Sequence, residues 1–217
     1  AQKLIEGLDG DVQVVDVSAH VPLEEESHDH EGHDHDGHGG FDPHIWTNPQ
    51  NAKVMVDNIA AALSAADPAG SGLFMTNAAD YKAQLDELDE TIMEIVGMSE
   101  HREIVFGGRF AMRYFAEHYG LAWSAAFDSC SGETEPSVRA VAQIVDNIQK
   151  NCIPVIYYEE LTDPKVARAI ARESGAQPLL LHSCHNVSKD ELAAGATYLS
   201  LMEQNAVNLK RGLNGWR

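Results

Sequence analysis

From Arg102 to the C-terminus, short apolar runs alternate with helical stretches, and this alternation constrains the fold more than any other feature of the chain. Ile104-Val105-Phe106 precedes a helical pattern over residues 110–118, and residues 123–127 precede one over 136–150. Residues 154–158 lead into a helix over 164–174, and 178–182 into a terminal helix over 189–213. Strands separated by helices of this length predict a mostly parallel sheet with helices on both faces. In such sheets ligands bind outside the carboxyl ends of the strands. That rule selects four loops: Gly107-Gly108-Arg109, residues 130–135, Glu159-Glu160 and Ser183-Cys184-His185.

Upstream, Tyr81, Leu85, Leu88, Ile92 and Ile95 or Val96 recur at helical spacing with acids on the opposite face, predicting an amphipathic helix. Taken over residues 77–98 it is about 30 Å long at ~1.5 Å per residue, enough to cross between two lobes or simply to cover a surface. An earlier helix is carried by Val54, Ile59, Ala62 and Leu63, and ends at Asp67-Pro68 and a loose Ala-Gly-Ser-Gly run. Residues 1–8 read as the last turns of a helix, Asp9-Gly10 as a turn, and residues 12–17 as a short buried strand from their β-branched content. A lobe that opens on a helix end lacks its first units. With no initiator Met, signal peptide or lipoprotein cysteine near Ala1, the chain reads as a fragment or a processed piece.

Between these helices lies the most unusual composition in the chain. Five histidines in eleven residues, His28, His30, His33, His35 and His38, are interleaved with Asp29, Glu31, Asp34 and Asp36. Imidazoles and carboxylates on a glycine-loosened segment form a flexible ligand set for Zn²⁺ and its divalent neighbours. The run is internal and mixed, unlike a terminal purification tag. It empties into Asp42-Pro43-His44-Ile45-Trp46. There a proline restricts the residue before it, and two apolar residues anchor the chain behind His44. A histidine held between a stiff turn and an anchor keeps one orientation, as a metal ligand must.

The charge balance agrees. Asp plus Glu number 34 against 15 Lys plus Arg, for a net charge of −19 with neutral histidines. Such a surface repels nucleic acid and anionic membrane and concentrates cations. No run approaches the ~20 apolar residues that span a bilayer.

The segment FDPHIWTNPQNAKVMVDNIAAAL behind a His/Asp-rich insertion, then NAADYKAQLDELD, YFAEHYGL and GATYLSLMEQNAVNLKRGL, resembles the zinc- and manganese-binding solute receptors of metal ABC importers. That family includes adhesin-like lipoproteins. The resemblance covers nearly the whole chain. It implies an α/β fold of two Rossmann-like lobes joined by a long helix, with the metal in the cleft between them. On this chain the N-terminal lobe is incomplete. The implied division is residues 1–76 for the partial N-terminal lobe with its His-rich loop at 24–40, 77–98 for the connecting helix, and 99–217 for the C-terminal lobe. It also implies an extracytoplasmic location, in the periplasm or lipid-anchored at the cell surface, a membrane permease as partner, and a monomer. A first metal-binding histidine lies upstream of Ala1 in the family.

Two loops depart from that pattern. Counting back from Tyr119-Gly120-Leu121, the family places a metal-binding His or Glu where this chain has Arg109. A guanidinium is always charged and has no lone pair to donate, so Arg109 is expected to pair with Glu133 or Glu159. The family's last ligand, an acid, falls nearest Cys184 or His185. Cys130 and Cys184 lie on loops at one edge of the sheet and carry two exclusive readings. One is a disulfide closing more than fifty residues, worth about 3–4 kcal/mol in the chain-entropy model; the other is a pair of thiolate ligands. Cys152, just before a strand, reads as a buried, inert thiol. His20, His101, His118 and His182 read as structural, with His182 able to orient a ligand in the neighbouring loop.

The chain contains no HExxH, GxSxG, P-loop or GxGxxG, and an enzyme is not expected. Two functional classes remain. One is a receptor that captures Zn²⁺, with Mn²⁺ as the alternative, and passes it to a permease. The other is a metal-buffering or interaction protein whose cleft site has degenerated, leaving the loop to bind metal weakly.

Overall fold

The structure, a computed structural model, describes Gly7 and residues 12–24, 41–127 and 136–214. Its four strands, β1 (Glu103–Phe106), β2 (Ala122–Ala125), β3 (Val155–Tyr158) and β4 (Gln177–Leu180), form one parallel sheet in the order β2-β1-β3-β4. The register sets Phe106 opposite Tyr157, Glu103 opposite Ala122, and Val155 opposite Gln177. The chain leaves β1 for β2 on one side and returns through β3 on the other. The strand order therefore reverses between β1 and β3, where open α/β sheets form a ligand crevice.

Successive side chains of a strand face opposite sides, and here they feed two separate cores. Ile104, Phe106, Val155 and Tyr157 pack with α2 (Ser71–Gly97), α3 (Arg113–Tyr119) and α7 (Tyr198–Asn214) through Ile92, Val96, Phe115, Met202 and Leu209. Val105 and Ile156 face the other way, against Ile144 and Ile148 of α4 (Val138–Asn151) and Ile170 of α5 (Lys165–Ser174). The end of β1 comes so close to α5 that a Cβ on Gly107 would lie 2.5 Å from the Cα of Ala167. Only glycine fits there.

The helices start and stop on recognisable signals. α1 (Pro49–Ala66) is capped by the Asn48 side chain, which accepts the Gln50 N–H at 2.9 Å, with Pro49 in the first turn. α2 is longer than the expected 77–98, because Ser71 and Gly72 belong to its first turn rather than to a loop. Its 27 residues extend roughly 40 Å. Buried Asp89 on α2 ties it to both neighbours, accepting from Gln50 Nε2 at 2.7 Å and Tyr119 Oη at 2.7 Å, with His118 Nε2 at 2.8 Å. His118 is thus part of a joint between helices.

Three expectations are corrected. Cys152, expected to be buried, is exposed at the C-terminal cap of α4. Residues 12–17 form no strand; Val12 and Val14 are half exposed, because β-branched content makes a strand only where a partner edge is present. The expected terminal helix is two, α6 (Lys189–Ala193) and α7, broken where Gly195 adopts a φ of 81°. Among the described residues, all four strands lie between Glu103 and Leu180.

Candidate functional site

The loops at the carboxyl ends of β1, β3 and β4 converge on a cavity of about 290 Å³. Arg109 and Ala111 enter it from β1, Glu159, Glu160 and Thr162 from β3, and Ser183, His185 and Asn186 from β4. The remaining wall is His44, brought in by a single 3-10 turn at Ile45–Thr47. The crevice lies at the strand-order reversal.

His44 is buried and pinned at one ring nitrogen. A single oxygen of Asp42, Oδ1, accepts both the His44 backbone N–H at 2.8 Å and lies 2.7 Å from Nδ1. Burial works to raise the Asp42 carboxyl, yet the two bonds from His44 outweigh it and hold it below its ordinary value. An ionised carboxylate only accepts, so the ring proton is assigned to Nδ1 and the Nε2 lone pair is left for the cavity. This carboxylate–imidazole arrangement is the one that orients histidines toward metals. The backbone of the turn is locked in turn: Tyr114 Oη donates to the Asp42 carbonyl at 3.0 Å, and Tyr198 Oη to the Trp46 carbonyl at 2.7 Å.

Opposite His44 stands His185. Their ring centroids are 5.7 Å apart at an interplanar angle of 63°. Two imidazoles on one tetrahedral zinc, with Zn–N near 2.0–2.1 Å, place their centroids roughly 5 Å apart. The observed centroid separation is slightly wider than that. The neighbouring Cys184 does not line the cavity. Its side chain packs against the larger core, and burial, with Glu160 adding, pushes its thiol up to about 12. A thiol so raised is a poor source of thiolate.

The two adjacent glutamates differ. Burial pushes the Glu159 carboxyl above the usual range; the Arg109 guanidinium and backbone N–H oppose this, and Glu160 reinforces it. Glu160 is also burdened by burial, but the hydroxyl and N–H of Ser183, at 2.6 and 2.8 Å, outweigh it and hold Glu160 below the usual range. Glu160 therefore organises the loop after β4, also receiving the N–H groups of His185 and Asn186 at 3.3 and 3.4 Å. Arg109 and Glu159 share the cavity as a cation and a partly compensated acid.

His182, expected as structural or orienting, is buried beside this loop. Its Nδ1 accepts the Cys184 N–H at 2.9 Å. The histidines of the internal run, His28, His30, His33, His35 and His38, lie outside the described residues, as do Cys130 and Glu133. Among the described residues, no cluster of three or more His, Cys, Asp or Glu side chains is preassembled for a metal.

Sequence reasoning missed Asp42 as the partner of His44, and Glu160 and Ser183 as the frame of the last loop. An Asp two residues before a histidine is a recognisable side-chain turn and carried the first signal. The second had none, because Glu160 and Ser183 are far apart in the chain and meet only once β3 has paired with β4.

The model of the family described as zinc-uptake complex component A, periplasmic, matches residues 1–212. The zinc-binding lipoprotein AdcA of Streptococcus pneumoniae R6 is 35% identical over 189 residues, which is 87% of this chain and 37% of that protein. The high-affinity zinc uptake system protein ZnuA of Bacillus subtilis 168 is 33% identical over 172 residues, 79% of this chain and 53% of that one. The chain thus spans about a third to a half of these relatives' lengths. Among solved structures, the Zn(II)-bound ZnuA-like domain of Streptococcus pneumoniae AdcA superposes with a TM-score of 0.77 at 29% identity, covering 98% of this chain and 75% of that domain. With the match running through the cavity and every element around it, the chain belongs to the zinc-uptake complex component A family.

Proposed function

We propose that this chain captures a divalent cation, Zn²⁺ in preference to Mn²⁺, outside the cytoplasm and delivers it to the membrane permease of an ABC importer. The observation that carries the reading is the Asp42–His44 pair, which takes up Nδ1 and leaves the Nε2 lone pair of a ring that lines the cavity together with His185. Nitrogen donors suit zinc better than manganese, which prefers oxygen. The names of the zinc-binding relatives support the same cargo. In this reading the His-rich run, residues 28–38, gathers metal loosely, and the protein acts as a monomer with its lobes divided near 1–76, 77–98 and 99–217. No catalytic role is assigned to any residue.

Arg109 favours a second reading. A fixed cation on the cavity wall opposes a bare metal ion, as it would in a buffering protein whose cleft has degenerated. Zinc titration of the full chain and of His44→Ala separates the two. A tight site lost with His44 supports capture, and only weak multiple binding, lost on deleting residues 28–38, supports buffering. Thiol titration under denaturing, metal-free conditions decides Cys130 and Cys184: one free thiol supports the bridge and three remove it.

A further inference from the structure

Trp46 touches the rings of both cavity-lining histidines, His44 and His185, yet is not itself among the residues that line the cavity. Its ring meets His44 edge to face at 5.5 Å and His185 at 5.7 Å, so the three rings are mutually inclined at 63–78°. Its Nε1–H donates to the Ser183 carbonyl at 2.9 Å, on the loop that carries His185. Its own carbonyl accepts from Tyr198 on α7.

The two histidines depend on this ring unequally. His44 is already pinned by Asp42. His185 is exposed, and its loop backbone is held by Glu160. Among the described residues, its side chain makes ring contacts with Trp46 and His44 and no hydrogen bond. Edge-to-face packing restricts a ring's rotamer without taking a nitrogen, which leaves both nitrogens of His185 able to bind.

We infer that Trp46 is the positioning residue of the two-imidazole site, setting the separation and inclination of His185 against His44 and tying the β4 loop to the segment that carries His44. The inference rests on the capture reading and names what makes it work: cation affinity is built on an indole that never touches the ion. Residues that orient metal ligands commonly change affinity by about 10–100-fold.

The test uses the full chain, with Co²⁺ as a spectroscopic probe and Zn²⁺ affinity from competition with a chelating dye. The signal is the part of the Co²⁺ visible spectrum that His44→Ala abolishes. Trp46→Ala is expected to change that spectrum and weaken Zn²⁺ binding by about tenfold or more, while Trp46→Phe, which keeps an aromatic edge, restores the spectrum and part of the affinity. Trp46→Leu fills the space without an aromatic face and serves where the alanine variant fails to fold. A folded Trp46→Ala or Trp46→Leu protein with unchanged spectrum and affinity overturns the inference. A wild-type protein with no His44-dependent spectrum overturns the capture reading itself, which distinguishes the two failures.

Discussion

Two buried imidazoles, His44 and His182, sit near the same crevice with carboxylates close by, and they do different work. His44 has its Nδ1 2.7 Å from Asp42, and the ring lines the cavity. His182 has its Nδ1 taken by the Cys184 N–H at 2.9 Å, so its proton falls on Nε2, which is buried without a hydrogen-bond partner. Glu160 and Glu191 approach the two nitrogens of His182 only to 3.8 Å. On the capture reading, the difference teaches that burial and a neighbouring acid do not by themselves make a metal ligand. What decides is which nitrogen the protein occupies and where the other one points. His182 instead shapes a loop, holding Cys184 in a left-handed conformation at φ 59°, which costs a non-glycine residue stability unless its surroundings compensate.

The comparison breaks most directly by exchanging losses. His44→Ala is expected to weaken tight zinc binding by more than ~100-fold, since it removes a ligand where even an orienting partner is worth about 10–100-fold, and also to lower stability by about 1–3 kcal/mol, because the buried Asp42 carboxylate loses its bond to the ring; isothermal titration and thermal denaturation check both. His182→Ala is expected to act on stability without the loss of affinity. It lowers stability by about 2–4 kcal/mol through a cavity and an unpaired Cys184 N–H, and keeps zinc affinity within about tenfold, read from urea melts and dye competition. Equal losses of affinity in the two variants would abolish the distinction.

Asp42→Ala sharpens it. Freed from its acid, His44 should lose about 10–100-fold in zinc affinity and show the other tautomer in its ring nitrogen NMR shifts. A smaller effect is expected in acid. Glu160 is held below its ordinary value of 4.5, so its contribution to stability is complete above that value and is lost as pH falls through the lower folded one. Glu160→Gln should therefore flatten the acid limb of a stability profile. Glu159 has the opposite sign: burial raises it, so folding is favoured below its unfolded value and that advantage fades as pH rises through the folded one. A cation in the cavity favours ionised Glu159, and calorimetry in buffers of different ionisation enthalpy should find fewer protons released per zinc in Glu159→Gln, with the contrast greatest at mildly acidic pH.

How far the chain could be read in advance depended on the range of the interactions involved. The parallel sheet and its flanking helices were readable because periodicity is local: Ile104, Val105 and Phe106 carry the alternation that the two cores use. The 12–17 segment misled because strand formation needs a partner edge, which no window of sequence contains. The terminal helix misled because Gly195 breaks it inside a pattern whose apolar spacing continues. Arg109 was expected at the cleft beside an acid, and it lies on the cavity wall with Glu159; its other expected partner, Glu133, is outside the described residues.

By itself the sequence determined the α/β class, three of the four expected crevice loops (the fourth, 130–135, lies outside the described residues), and His44 as a fixed imidazole, since each follows from residues within a few positions of one another. Tertiary structure alone decided that His185 and not Cys184 lines the cavity, because one step along a tight turn redirects a side chain from solvent to core. It also decided that Trp46, 137 positions from Ser183 in the chain, closes on that loop. Contacts at such separation are set by how sheet and helices pack, and packing is a property of the whole chain.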